Sequence, residues 1–184
     1  MLKKYLITSR EFYSDTPGVF RKILHEQFVK HLPFFALYRD KMNPNYGVLA
    51  EHFIEVCAQF EGINAIIHSE VELAFKLKAY GVHLTSKQFS EIKKAKELGL
   101  KVIVSTHTKE EVLKAEELGA DYVTYSPIFK TPNKGEPKGV ENLKELLKTI
   151  NIKLFALGGI VEDEQIATIS KTDSFGFASI RYFY

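Results

Sequence analysis

Short apolar runs alternate with segments of helical period along the whole chain. The runs are KYLIT (4–8), FFALYR (34–39), INAIIH (63–68), YGVHLT (80–85), KVIVST (101–106), DYVTYS (121–126), KLFALGG (153–159) and SFGFAS (174–179). Several are apolar at consecutive positions, the pattern of parallel strands covered on both faces. Between them apolar residues fall at helical spacing, most clearly Leu143, Leu146, Leu147 and Ile150 at i, i+3, i+4 and i+7.

The segments also repeat. KAKELG at 94–99 recurs as KAEELG at 114–119, and a strand-like run follows each within a few residues. The glycine closing each copy suits the left-handed residue after a helix. Ser69 with Glu72, Thr85 with Gln88, and Thr108 with Glu111 have capping-box spacing directly after a strand. Strand, cap, helix, glycine and strand make a βα unit of about 20 residues. Eight such strands with seven intervening helices predict an α/β protein, a (β/α)8 TIM barrel, as a single domain over 1–184. An open doubly wound sheet, the alternative, has five or six strands more often than eight. The run ends at Tyr184 without room for a final helix, so RYFY or a second copy in a homodimer is expected to cover that flank.

Composition narrows the class without naming a function. Hydrophobic residues make up 45% and charged residues 26%, as in ordinary globular proteins. A net charge of +2 gives no reason to expect nucleic acid or a membrane as partner. The single cysteine, Cys57, excludes an intramolecular disulfide and a multi-cysteine zinc site, and its setting in FIEVCAQF reads as a buried core thiol. The apolar part of MLKKYLITSREFY is too short for a signal-peptide core, and a cytoplasmic location is expected.

In a barrel of this kind, function gathers where strands end and loops begin. Those positions hold Ser9 and Arg10, Arg39 and Lys41, His68 and Ser69, His83 and Thr85, Ser105 and His107, Thr131 and Lys134, Gly158 and Gly159, and Ser179 and Arg181. The set is basic and polar with few carboxylates, which suits a small anionic ligand. In LGGI two glycines follow the seventh strand, where bare backbone N–H groups can approach phosphate oxygens; a simple strand-end turn is the alternative. The end of the eighth strand, with Ser179 and Arg181, supplies the other half of a barrel phosphate site. Arg39 and Lys134 can reach over the mouth as counter-charges. His68, His83 and His107 are candidate proton carriers, because imidazole titrates near neutral pH; each can equally be a packed or backbone-bonded histidine. Their spacing matches no HExxH or comparable zinc motif, and no metal site is expected.

With these residues in place, the chain resembles the thiamine phosphate synthase and TenI superfamily. The resemblance runs from KYLIT to FGFAS and is carried by GVHL (81–84), VSTHT (104–108), GADYVTYSPIFKTPNK (119–134) and FALGGI (155–160). It implies a (β/α)8 barrel, often dimeric, that binds thiazole phosphate and thiamine phosphate. The synthases join hydroxymethylpyrimidine diphosphate to thiazole phosphate and release pyrophosphate, while TenI relatives include a thiazole tautomerase. By position, Arg39 and Lys41 match residues that meet the pyrimidine diphosphate. Ser105, Thr131 and Lys134 match residues around the pyrophosphate, and Gly159 with the end of strand eight matches the thiazole-phosphate cradle.

The departures are as informative. Leu37 stands where the synthase motif has glutamine, and His68-Ser69 where it has Asn-Asp. Gln88 stands where an aspartate follows the GVHLG-type motif. The two missing aspartates hold magnesium in the family, and neutral Ser and Gln are poor substitutes. Pro127 occupies the position of the tautomerase general-base histidine, so a proton shuttle would have to move to His68 or His83. The residues alone therefore rank three readings. First comes a TenI-like protein binding a thiazole or thiamine phosphate, with tautomerase-type proton transfer and no cofactor. Second is a divergent thiamine phosphate synthase, the only reading that calls for Mg2+. Third is a non-catalytic phosphate-binding regulatory module.

Overall fold

The computed structural model describes residues 1–132 and 134–184. Every one of the eight apolar runs contains a strand: β1 (Lys3–Ile7), β2 (Phe35–Tyr38), β3 (Asn64–His68), β4 (Gly81–Leu84), β5 (Lys101–Thr106), β6 (Tyr122–Tyr125), β7 (Lys153–Leu157) and β8 (Gly176–Ser179). All neighbouring pairs are parallel, in sequence order, and β8 returns to β1 to close the barrel. The helices are α1 (Arg10–Tyr13), α2 (Pro17–His31), α3 (Tyr46–Cys57), α4 (Val71–Lys76), α5 (Glu91–Glu97), α6 (Lys109–Glu117), α7 (Gly139–Leu147) and α8 (Asp163–Ile169). The first crossover thus carries two helices where the sequence pattern predicted one. No described helix is long and apolar enough to cross a membrane.

Strand alternation divides the core in two. Leu6, Ala36, Ile67, Val82, Val104, Val123 and Phe177 point outward into the helix layer, which also buries Cys57. Tyr5, Ile7, Phe35, Leu37, Ile66, Ile103, Tyr122, Phe155 and Ala178 point inward. The lower interior is aromatic. Phe35 meets Tyr5 edge-on at 5.4 Å and Tyr122 at 5.0 Å, and Tyr5 meets Phe155 at 5.2 Å. The Phe155 ring fits because β8 thins out beside it at Gly176. A Cβ on Gly176 would collide with the Lys3 carbonyl and lie 2.6 Å from the Phe155 ring, and one on Gly81 would strike the Lys101 carbonyl.

The repeated KAxELG segments form equivalent helix ends. In the first, the Leu100 N–H reaches the Ala95 carbonyl and the Gly99 N–H reaches that of Lys96; Ala120 and Gly119 repeat the pair on Ala115 and Glu116. These are Schellman closures, with Gly99 at φ 79° and Gly119 at φ 86°. The predicted caps fare differently. Thr108 caps α6 by accepting the Glu111 N–H at 3.2 Å, while the Glu111 carboxylate reaches one residue further back, to the His107 N–H at 2.6 Å. Thr85 and Gln88 do bond each other, but they close a turn ahead of α5 rather than start a helix. The Ser69–Glu72 box does not form. Ser69 has φ 65°, Glu70 takes the N-cap position of α4, and the serine hydroxyl turns to His68 instead.

The flank between β8 and β1 is closed by the RYFY residues, as the sequence suggested. They form a 3-10 turn, Arg181–Phe183, and among the described residues no α-helix follows β8. Phe183 is fully buried, stacked on Phe177 at 5.7 Å and met edge-on by His31 at 5.2 Å. Tyr184 rests on Phe12 at 4.7 Å but stays exposed. Replacing Phe183 with alanine is expected to cost about 3–5 kcal/mol in urea unfolding, through lost burial and the cavity left behind. Tyr184→Ala should cost well under half as much in the same measurement.

Candidate active site

The C-terminal ends of the strands surround a cavity of about 450 Å3. Its floor is apolar, formed by Ile7, Leu37, Leu157 and Ile180, which continue the inward-facing rows above the aromatic layer. Its walls carry the predicted residues Arg39, Lys41, His68, His83, Ser105, His107, Thr131, Lys134 and Gly158. Gly159, Ser179 and Arg181 line an adjoining cavity of about 440 Å3 that shares Thr131, Leu157, Gly158 and Ile180 with the first. The two cavities therefore meet at one partition.

Backbone and buried hydroxyl groups hold the cationic side in place. The Arg39 N–H donates to Thr8 Oγ1 at 3.0 Å. The Tyr46 hydroxyl lies 3.2 Å from the Tyr38 carbonyl and 3.1 Å from that of His68, and accepts the His68 N–H at 3.2 Å. One phenol thus joins the ends of β2 and β3. Asp40, between the two cations, is turned away: its carboxylate takes Arg10 Nε at 2.9 Å and the Met42 N–H at 3.3 Å.

The loop after β6 is strapped to the end of β7. Ile128 and Phe129 donate to the Leu157 and Gly158 carbonyls at 2.9 and 3.0 Å, and Thr131 Oγ1 donates to the Phe129 carbonyl at 2.9 Å. Close packing at this strap explains LGGI. A Cβ on Gly158 would lie 2.7 Å from Pro127 Cα, and one on Gly159 would lie 2.6 Å from the Lys130 carbonyl oxygen. Both glycines also have positive φ, 102° and 70°. Their smallness serves the loop first, and it leaves Gly158 backbone in the wall of both cavities. Ser179 is similarly engaged: its hydroxyl donates to the Ile160 carbonyl at 2.7 Å and accepts the Tyr182 N–H at 3.2 Å.

Charge is distributed one-sidedly. Arg39, Lys41, Lys87 and Lys134 line the 450 Å3 cavity, and among the described residues no Asp or Glu does; Glu11 lines the adjoining one. The Lys41 pKa is lowered, first by desolvation and then by the like charges of Arg39 and Lys134. The histidines respond in kind. His68 is pushed down to about 4 by burial and by the charges of Arg39 and Lys41. His83 lies well below the ordinary imidazole range, through burial and then the neighbouring His68 and Arg39. Both are therefore neutral at neutral pH. His83 bonds Tyr5 through Nδ1 at 2.7 Å and Ser105 through Nε2 at 2.9 Å, so neither ring nitrogen is free. His68 Nδ1 is 2.9 Å from Ser69 Oγ, and His107 Nδ1 lies 3.3 Å from the Ser126 carbonyl.

The positions that hold magnesium in the resembled family do not fit that ion here. Ser69 Oγ is engaged with His68. Gln88 Oε1 accepts the Thr85 N–H and hydroxyl, each at 3.0 Å, while Gln88 Nε2 donates to the Ser69 carbonyl at 3.2 Å. The two side chains tie neighbouring loops together and offer no carboxylate. Among the described residues, no group of three or more His, Cys, Asp or Glu side chains is placed to hold a metal ion.

Two contributors escaped the sequence reading. Lys87 belongs to the GVHLTSK segment, and only the path of the loop brings it to the mouth. Tyr5 reaches His83 from the barrel interior; its spacing from Ile7 in KYLIT was the available signal, since both then face one side of β1.

The His68 shift has a measurable consequence. The unfolded chain takes up a proton near pH 6.5 and the folded chain only near 4, so folding stability falls as pH drops through that window. The loss from this residue is on the order of 3 kcal/mol. Arg39, Lys41 and His83 are the groups that face it with positive or potential positive charge. In urea titrations at pH 7, 5.5 and 4, His68→Gln should show a visibly shallower loss than the wild-type protein, with the His83 part of the slope retained.

The family model described as thiamine monophosphate synthase (TMP-TENI) matches residues 5–183. A protein of Aquifex aeolicus (strain VF5) named "Putative thiamine-phosphate synthase 2" is 31% identical over 183 residues, spanning 97% of this chain and 96% of that one. The thiamine-phosphate synthase of Clostridium tetani (strain Massachusetts / E88) is 29% identical over 180 residues, 96% of this chain and 85% of that one. Among solved structures, a thiamine phosphate pyrophosphorylase from Pyrococcus furiosus superposes with a TM-score of 0.81 at 25% identity, covering 97% of this chain and 85% of that one. With the family model matched over nearly the whole chain and a relative 31% identical along its length, the chain belongs to the thiamine monophosphate synthase family.

Proposed function

We propose that the protein is a thiamine-phosphate synthase in which side-chain cations do most of the work of receiving the leaving pyrophosphate. The thiazole nitrogen of thiazole phosphate forms a bond to the methylene carbon of hydroxymethylpyrimidine diphosphate, and the carbon–oxygen bond to the diphosphate breaks. The departing group takes the electron pair of that bond and gathers negative charge. The observation that supports this reading is the gathering of Arg39, Lys41 and Lys134 at one mouth, where burial and then the charges of the other two lower the pKa of Lys41. A bound pyrophosphate relieves that repulsion, and preorganised charge at the point where charge develops is a large catalytic contribution. The neighbouring cavity at Gly159 and Arg181 suits the second, smaller phosphate.

This order differs from the one the residues alone favoured, and His83 is the reason. Its two nitrogens bond Tyr5 and Ser105, so a proton could pass between His83 and a ligand only by way of the Ser105 hydroxyl. Tautomerase-type proton transfer remains a second reading on one observation: His68 is a neutral imidazole on the cavity wall.

The test is thiamine phosphate formation from the two substrates, with magnesium added and with it chelated. Turnover is expected, and Arg39→Ala, Lys41→Ala or Lys134→Ala should each lower kcat about 100-fold. No product, together with aromatisation of a carboxylated thiazole phosphate tautomer that disappears in His68→Gln, would select the second reading. Binding of thiazole phosphate with neither activity would leave a phosphate-binding module.

A further inference from the structure

Below the cavity wall a line of hydrogen bonds runs through the barrel interior. It starts at Tyr5, fully buried among the aromatic rings, whose hydroxyl is 2.7 Å from His83 Nδ1. The tyrosine and histidine rings stack with centroids 5.7 Å apart. It continues from His83 Nε2 to Ser105 Oγ at 2.9 Å, and Ser105 stands on the cavity wall. We propose that Tyr5 is a positioning residue for anion binding: it holds His83 as the Nε2–H tautomer, so that His83 donates to Ser105 and the Ser105 hydroxyl hydrogen is left to point at a phosphate oxygen in the cavity. The inference rests on the reading that the cavity receives a phosphate or pyrophosphate group.

Counting donors gives the chain its direction. The Tyr5 phenol has one hydrogen, and His83 Nδ1 is the acceptor beside it. Burial holds its pKa well above the ordinary phenol range, so the hydrogen stays. A proton on Nδ1 would leave two donors facing each other and the phenol hydrogen buried without an acceptor, an arrangement folded proteins avoid. His83 does not carry two protons, because burial and the nearby His68 and Arg39 oppose the charge. With Nδ1 accepting, the ring hydrogen is on Nε2 and goes to Ser105 Oγ. Serine has a single hydrogen of its own, and with His83 already donating, that hydrogen is directed into the cavity. Hydrogen bonds from protein donors to an anion are the strong kind. Tyr5 thereby sets the polarity of a wall residue that it does not touch.

Nitrogen-15 NMR of the imidazoles in the ligand-free wild-type protein tests this directly, with the His83 signals assigned by their loss in His83→Gln. Nδ1 is expected to show the shift of an unprotonated acceptor and Nε2 that of a protonated donor. The opposite tautomer, or an even mixture, would overturn the proposal whatever the cavity binds. In Tyr5→Phe the preference should be lost. Calorimetry with inorganic pyrophosphate gives a second readout. Tyr5→Phe and Ser105→Ala should each weaken binding about tenfold, and the double variant should be no weaker than Ser105→Ala alone, because both changes remove the same donor. Additive losses would contradict the proposal. Failure of the wild-type protein to bind pyrophosphate would count against the anion-binding reading, while the tautomer measurement still decides the role of Tyr5.

Discussion

A closed barrel of eight strands has an interior that must be filled, and here the filling determines what is left over. Tyr5, Phe35, Tyr122 and Phe155 occupy the lower part, several in edge-to-face contact, with Phe155 accommodated by the missing side chain of Gly176. Burying such rings is a large share of what any small core gains. Higher up, the inward row changes to Ile7, Leu37, Leu157 and Ile180, with polar residues beyond them. The cavity is the upper part of the interior that the protein does not fill, and its apolar floor is the top of its core. Tyr5 belongs to both: one face packs against phenylalanines, and its hydroxyl begins the polar line to Ser105.

Electrostatics works against folding at the mouth. Lys41 feels the charges of Arg39 and Lys134, while Asp40, bonded to Arg10, offsets part of the burial cost of Arg39. Burial first, and then the same field, keeps His68 and His83 neutral. Functional sites commonly store cost of this kind, and the rest of the fold must offset it. The Schellman closures, the strap between the β6 and β7 loops, and Tyr46 bridging β2 and β3 are the kind of local bonding that holds repelling groups in register. The family's magnesium positions illustrate the alternative. Ser69 and Gln88 add bonding between loops where carboxylates would add negative charge.

Much of the architecture was legible because it is local. Apolar runs, helical spacing and the repeated KAxELG ending each depend on residues a few positions apart, and they placed every strand. Capping spacing was less informative, since it names a pair of residues without fixing the backbone between them. Ser69 at φ 65° points its hydroxyl at His68, and Gln88 prefers a turn with Thr85. At the site, strand-end position brought the cations and histidines to one cavity. It could not show that His83 is fully bonded, because Tyr5 and Ser105 are its neighbours across the barrel and not along the chain. Lys87 was missed for the same reason: a loop path is a tertiary property. The glycines of LGGI were visible, yet what they accommodate, Pro127 to Lys130, became clear only with the strap in view.

That strap also fixes a boundary. Thr131 and Gly158 stand between the two cavities and face both of them, and the segment they occupy is held by main-chain bonds from Ile128 and Phe129. Leu157 and Ile180 face both cavities as well, so the partition combines a main-chain strap with apolar side chains. Exchanging a floor residue such as Leu37 would reshape the floor and leave the strap, whose bonds are main-chain, in place. The shape of the floor and the position of the strap are separately inherited in this protein, one written in side chains and the other in the main chain.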